Sequence, residues 1–344
     1  GVSASGTAAP SGGGLVFAAP YAFTDGSPRR ARAWFPCVDA PSPVPGSPFE
    51  LRVTVPPGCL AIASGVLRRV RAAAHSGGGA RRTFAFDVPV SCVPSQVALA
   101  VGPFKGVRDV TASAAATADA EAAATRAAAE EGDEDGRGAD GEGGPAASAA
   151  TAPKPRKHSR PPVTHVSAFG PPEAADLLAF TAQTLPLALV EFESYLGAPL
   201  PGGALRLVAL PAEAGPRPDA PIVGSGVIFI SSAALFGPRS VGSGLESRLA
   251  LARAAAAQWF GVLLRPAAAA DAWLADGLAA RLTTLFLRAR WGKGEAAHRL
   301  ASEREAVLAG DDGSIPPLCL RGPPGAEGGL HGSERLDPSP VRAW

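Results

Sequence analysis

Methionine and asparagine are missing altogether from this chain, tyrosine occurs twice, and only four of its 32 cationic residues are lysine. That bias reads as GC-rich coding rather than a structural demand, and a start at glycine with no methionine anywhere points to a piece of a longer protein. A surplus of one charge is lacking too. The 32 Lys plus Arg stand against 31 Asp plus Glu, a formal +1, so no global field draws the chain to nucleic acid or to an anionic membrane. Any such contact has to be local. No run reaches the roughly 18 consecutive apolar residues that span a bilayer. Residues 1–14 have neither a basic start nor an apolar centre, which argues against a secretory signal. The expectation is a soluble intracellular protein with no membrane partner. Cysteine is sparse: Cys37, Cys59, Cys92 and Cys319 are far apart, without a CxxC pair or a histidine at ligand spacing. Neither a disulfide framework nor a zinc knuckle is indicated, and buried, reduced thiols are expected.

What is present is core material. With 46% apolar and 18% charged residues, 344 residues are expected to make two domains at roughly 150 residues each. The pattern is α+β. Over 15–110 short segments alternate apolar and polar positions: 49–55 (FELRVTV), 60–70, 83–90 (TFAFDVPV) and 96–101. They predict an antiparallel β domain over 1–110, with turns at 41–48, 56–59 and 76–79. Residues 111–162 change character, from alanine runs to EEGDEDGRGADGEGG and then KPRKHSR (154–160). Almost nothing large and apolar remains there, so disorder is expected. The basic cluster is either a solvated linker feature or a nuclear import signal. From 163 to 309 mixed α/β patterning predicts helices at 172–195, 245–264, 272–291 and 294–309, each burying one face, and strands at 205–210 and 227–231. The closing 310–344 is Gly/Pro-rich and expected to be flexible.

Two segments carry the chemical argument, LARAAAAQWFG (251–261) and WLADG (273–277). They resemble the two metal-binding stretches of the gluzincin aminopeptidases, a helix of HExxHxWFG type and a second helix supplying a glutamate from a W-L-N-E-G-like sequence. On that motif Gln258, Trp259, Phe260 and Gly261 match the residues after the second histidine, and Asp276 falls at the third ligand. The two histidine positions are Arg253 and Ala257, and the general-base position is Ala254. Zinc needs about three protein donors and an open water position. Here Asp276 alone is left, and Arg253 adds a fixed cation, repelling a dication by several kcal/mol at an effective dielectric near 20. The family's GAMEN-like loop has no counterpart after 207–211, where the chain reads AEAGPRPDAPIVGSG. Its transition-state tyrosine has none either, since Tyr21 and Tyr195 both lie upstream. The GSG triplets at 224–226 and 242–244 lack the spacing of a hydrolase elbow, and the histidines (His75, His158, His165, His298, His331) form no triad pattern. No glycine run has the context of a phosphate loop.

A narrower resemblance comes from the series RARAWFPCVD (30–39), FELRVTVP, AIASGVL (61–67), VPSQVALAVGPF (93–104), FISSAALF (229–236) and LALARAAAAQWFGVLL. Together these are similar to the aminopeptidase-like subunit 2 family of transcription factor TFIID, whose corresponding helix has also lost its zinc residues. The resemblance covers about 15–290 apart from the insertion. It implies a saddle-like antiparallel β-sheet domain followed by a thermolysin-like α/β domain without a metal site. It also implies a non-catalytic nuclear scaffold, helping core-promoter (initiator) recognition and assembly of the RNA polymerase II preinitiation complex with TBP and other TFIID subunits. No catalytic, metal-binding or cofactor-binding residue is expected, and no cofactor. Arg29, Arg30, Arg32, Arg68, Arg69, Arg71, Arg81 and Arg82 give the β domain a basic bias suited to promoter DNA phosphates, with no base-reading residue among them. Trp259, Phe260 and Trp273 read as aromatic core. The competing readings are a zinc aminopeptidase of the same fold, taking ligands from His298 or His331, and a pseudo-peptidase that binds peptides outside transcription.

Overall fold

Period-two alternation decides which way each strand points its side chains, and here it stacks three sheets on one another. A computed structural model describes residues 14–27, 29–39, 45–73, 81–107, 110, 164–240, 243–267 and 271–311. The 111–162 insertion with its KPRKHSR cluster, His75, and the closing segment with Cys319 and His331 lie outside the described residues.

The molecule is mixed α+β. One sheet is antiparallel, in the order β1 (Leu15–Ala18), β2 (Tyr21–Thr24), β7 (Leu99–Gly102), β4 (Leu60–Ala63). A second, also antiparallel, is β3 (Ser47–Val55), β6 (Arg81–Cys92), β5 (Val66–Ala73). The third has five strands: β11 (Ile222–Gly224), β12 (Val227–Ser231), β10 (Ala204–Leu210), β9 (His165–Gly170) and β8 (Lys105–Val107). Its three inner strands are parallel and its two edges antiparallel.

The first sheet is the middle of the stack. Ala61, Ala63, Leu99 and Val101 point one way, onto Val55, Phe84 and Phe86 of the second sheet. Ile62 and Ala100 point the other way and, with Tyr21 and Phe23, meet Val208, Leu210, Val227 and Phe229 of the third. The opposite face of the third sheet, Leu205, Leu207, Ala209, Ile228 and Ile230, lies under the helices. Four layers result, with helices on one outside and the β3–β6–β5 sheet on the other.

The helical layer departs from the sequence pattern in instructive ways. The run expected at 172–195 is a 3-10 turn and two helices, α1 (Ala175–Ala182) and α2 (Thr184–Leu196). Pro186 has no N–H to give the Ala182 carbonyl, so the ladder breaks at Gln183. Pro172–Leu196 has a mean hydropathy of 1.2 and is long and apolar enough to cross a membrane by composition. Within the fold it is core: Leu178, Leu185, Leu189 and Phe192 are all buried. Gly197, at φ 65°, closes α2 with its N–H on the Glu193 carbonyl at 2.9 Å.

Helix α3 (Ser243–Ala256) stops well short of 264. Beyond it Val262, Leu263 and Leu264 donate to the carbonyls five residues back, and Gly261 sits at φ 141°, so the apolar periodicity of QWFGVLL belongs to a wide turn. The expected strand 60–70 is likewise two strands, divided at Gly65 (φ 83°), where a Cβ would meet the Asp87 carbonyl oxygen at 2.2 Å.

The last helix, α4 (Ala272–Gly310), is broken at Gly292 (φ 87°, ψ 176°), which agrees with two separate runs. Its first arm buries Ala279, Leu282, Phe286 and Leu287 at helical spacing. Its second arm buries Ala296 alone and leaves Leu300 and Leu308 59% and 66% exposed, so the expected buried face is absent there. Trp273 is a correction too: at 38% exposure it is no core residue, whereas Trp259 is buried at 2% and Phe260 packs partly against the helical core. Trp273 opens α4 before that helix reaches the core stripe that begins at Ala279. Of the described cysteines, all free thiols, Cys92 alone is buried; Cys37 and Cys59 are half-exposed.

Candidate functional site

Arg253 and Ala257 lie one turn apart at the end of α3, the Ala257 N–H donating to the Arg253 carbonyl at 3.0 Å. The first two positions of the motif therefore share one turn. Its chemistry is different. Ala254 is 5% exposed and packs into the core beneath the helices. Arg253 acts on Glu303 of the second arm of α4, and an ion-pair chain runs beside them: Arg299 donates to Glu246 of α3 at 2.6 Å and to Glu295 at 3.0 Å. Partial desolvation pushes the Glu303 carboxyl up while Arg253 and Arg299 pull it down, and Glu246 adds a small upward push. The Glu246 bond leads in holding the Arg299 guanidinium above its ordinary value, with burial opposing. Arg299 thus ties Glu246 of α3 to Glu295 of α4, while for Glu303 desolvation outweighs the pull of the two arginines and leaves its carboxyl above the ordinary value.

Asp276 is exposed on the first arm of α4, and His298 is exposed on the second. Among the described residues no group of three or more His, Cys, Asp or Glu side chains comes together at a distance suited to a metal ion. The groups at the three zinc-ligand positions of the gluzincin pattern are thus a cation, a methyl group and one carboxylate, and they do not fit the ion.

The rest of the motif has a structural task. Gln258 is 1% exposed; its Oε1 accepts from the Gly226 N–H at 3.0 Å and its Nε2 donates to the Gly224 carbonyl at 3.1 Å. The side-chain amide thereby substitutes for a peptide unit and holds the β11–β12 turn. The Gly261 carbonyl accepts from Gln96 Nε2 at 2.6 Å, tying the turn after α3 to the 3-10 turn Pro94–Gln96 of the β-rich half. Trp259 meets Phe192 edge-on at 6.2 Å, and Phe192 meets Phe286 at 6.3 Å.

The basic residues singled out in the β domain divide into two groups. Arg30 pairs with Asp25 at 3.6 Å, the Arg32 guanidinium donates to the Asp39 backbone carbonyl while its main-chain N–H donates to the Asp39 carboxylate, and Arg82 donates to the Cys59 carbonyl at 3.0 Å while lying over Phe84. Those charges are engaged locally. Arg29 lies in the loop before the 3-10 turn Ala31–Ala33, and the others are on the β3–β6–β5 sheet. Phe84 and Phe86 point inward there, so Arg81, Thr83 and Ala85 point outward, with Arg71 opposite Thr83 and both Arg69 and Arg52 opposite Ala85. Arg52 is paired with Glu50 at 2.7 Å and Arg68 with Asp87 at 3.0 Å. Arg69, Arg71 and Arg81 are exposed, and no ion pair among the described residues engages them. Arg52 went unnoticed in the sequence, although its place in the alternation of FELRVTV marks it as outward-facing.

No protein-family model matches this chain, and no curated protein does either.

Proposed function

We propose that this chain is a non-catalytic, aminopeptidase-like scaffold subunit of the general transcription factor TFIID. In this reading the stacked β-sheets correspond to a saddle-like N-terminal domain and the five-stranded sheet with its helices to a thermolysin-like domain stripped of its metal. The observation that carries it is the end of α3. The motif spacing is retained, while Arg253, Ala254 and Ala257 stand where two ligands and a base would be, and Arg253 acts on Glu303 instead. A site that keeps its frame and has exchanged its donors for packing and internal ion pairs works through surfaces.

The surface that fits nuclear work is the outward sheet face with Arg69, Arg71 and Arg81, whose charges suit the phosphates of promoter DNA and read no bases. The remaining area serves TBP and the other TFIID subunits. The deciding experiment is affinity purification of the tagged full-length protein from its own nuclei, with mass-spectrometric identification of what co-elutes. Recovery of TBP and several TBP-associated factors in comparable amounts is the expected result. Elution alone, or with cytosolic proteins, overturns the assignment to transcription and directs attention to a peptide-binding pseudo-peptidase.

A further inference from the structure

Arg206 is out of keeping with its strand. β10 reads ALRLVAL, and two and four residues beyond Arg206 on the same face, Val208 and Leu210 are fully buried between the third and first sheets. The arginine therefore stands at the end of an apolar inter-sheet seam. There it lines a cleft of about 20 Å³, room for one or two water-sized groups, together with Ser225 and with Val66, Val88 and Val90 of the facing sheet. Both polar residues are held by their backbones: the Arg206 N–H donates to the Gly226 carbonyl at 3.0 Å and the Ser225 N–H to the Gln96 carbonyl at 2.8 Å. Ser225 is only 5% exposed. Among the described residues, neither the Arg206 guanidinium nor the Ser225 hydroxyl has a hydrogen-bond or ion-pair partner. Gly65, Gly202 and Gly226, all at positive φ, also line the cleft.

A partly buried cation without a counter-charge is costly, and it persists where something else supplies the charge. Burial holds the Arg206 guanidinium below its ordinary value, and no carboxylate acts against that. A guanidinium presents a planar fork that matches two oxygens at once. The small volume admits the two oxygens of a planar carboxylate more readily than a tetrahedral phosphate, and the carbon stem would run out along the valines towards the open rim.

We infer that the cleft between Arg206 and Ser225 is a carboxylate-binding site, the guanidinium taking both oxygens, the Ser225 hydroxyl donating to one, and the attached carbon lying against Val66, Val88 and Val90. This inference stands apart from the TFIID reading. A free aliphatic acid and a carboxylate borne by a protein partner share the chemistry. The test is thermal unfolding of the full chain in sodium acetate, sodium propionate or sodium phosphate, each against sodium chloride at matched ionic strength. The expected result is a saturable rise in Tm with acetate, tighter with propionate, and none with phosphate. S225A weakens the apparent affinity roughly tenfold, the loss of one charge-assisted hydrogen bond. R206M melts at or above wild type in chloride, because it removes an unpaired charge, and gains nothing from acetate. A free acid shows submillimolar affinity for propionate; a protein-borne carboxylate leaves propionate weak and a short peptide ending in valine tighter. A phosphate-only response, equal acetate responses in wild type and R206M, or destabilisation of R206M with no acetate response in wild type overturns the inference.

Discussion

The end of α3 and the outer face of the β3–β6–β5 sheet are both arginine-bearing, and they treat charge in opposite ways. At α3, Arg299 is paired with Glu246 and Glu295, Arg253 pulls on the Glu303 carboxyl, and Ala254, Ala255 and Ala256 are packed into the core. On the sheet, Arg69, Arg71 and Arg81 stand exposed among Thr83 and Ala85 with little acid nearby. The first arrangement uses charge to hold two helices together; the second leaves charge available to a partner. A surface that keeps like charges close without neutralising them is the better place to look for binding.

The largest change breaks the seam on which both regions depend. Phe229→Ala removes a fully buried ring that meets Phe23 edge-on at 6.2 Å, and should cost about 3–5 kcal/mol in denaturant unfolding. Next is Gln258→Leu, which strands the Gly226 N–H and the Gly224 carbonyl and should cost about 2–4 kcal/mol. A loss below about 1 kcal/mol would show that α3's end is not a structural clasp.

A smaller effect is set by pH. Burial pushes the Cys92 thiol up to about 11, with Arg265 pulling slightly the other way. The folded value lies above the ordinary 9.0, so the folded state holds its proton longer than the unfolded chain. The associated stability is complete below about pH 9 and is lost as pH rises through about 11. Unfolding midpoints across that window should fall more steeply for the wild type than for Cys92→Ala. At pH 8, thiol reagents should modify Cys37 and Cys59 ahead of Cys92. The least effect on stability, and the sharpest on binding, comes from Arg69→Glu with Arg71→Glu. Unfolding should move by no more than about 0.5 kcal/mol, while elution from heparin shifts to lower salt and the salt dependence of duplex DNA binding becomes shallower. Unchanged elution would remove the sheet face as the anion-binding surface.

Much of the strand pattern was legible because alternation survives in short segments. FELRVTV and TFAFDVPV became β3 and β6, and VIFIS became β12 with its bounds intact. The strands that went unnamed are short or lie beside glycine: LVFA, YAFT, KGV and IVG give periodicity too few residues to act on, and the six-residue HVSAFG runs into Gly170. Helix ends were misjudged where apolar spacing continued into a turn, as at Gln258–Leu264, because a wide turn also buries every third or fourth residue. The site was legible in part. The losses at Arg253, Ala254 and Ala257 can be read directly, whereas the Glu303 contact needs the Gly292 break to bring the second arm of α4 back towards α3. Arg206 is visible in the sequence as a lone cation in an apolar strand, but its missing partner is a fact of three dimensions.

The bond from Gln96 to the Gly261 carbonyl spans 165 residues of chain. Phe23 reaches its partner Phe229 across a still longer interval. At roughly 5–20 residues per second of synthesis, the middle sheet, complete at Gly102, waits on the order of six to twenty-five seconds for Phe229 and the other residues that cover its second face. Through that interval Phe23, Ile62 and Ala100 lack the Val208, Leu210, Val227 and Phe229 side chains that cover them in the finished fold. The nascent β-rich half is thus exposed to misassociation long before any partner could meet the finished molecule, and its yield in cells should depend on how fast the ribosome moves and on what shields that face meanwhile.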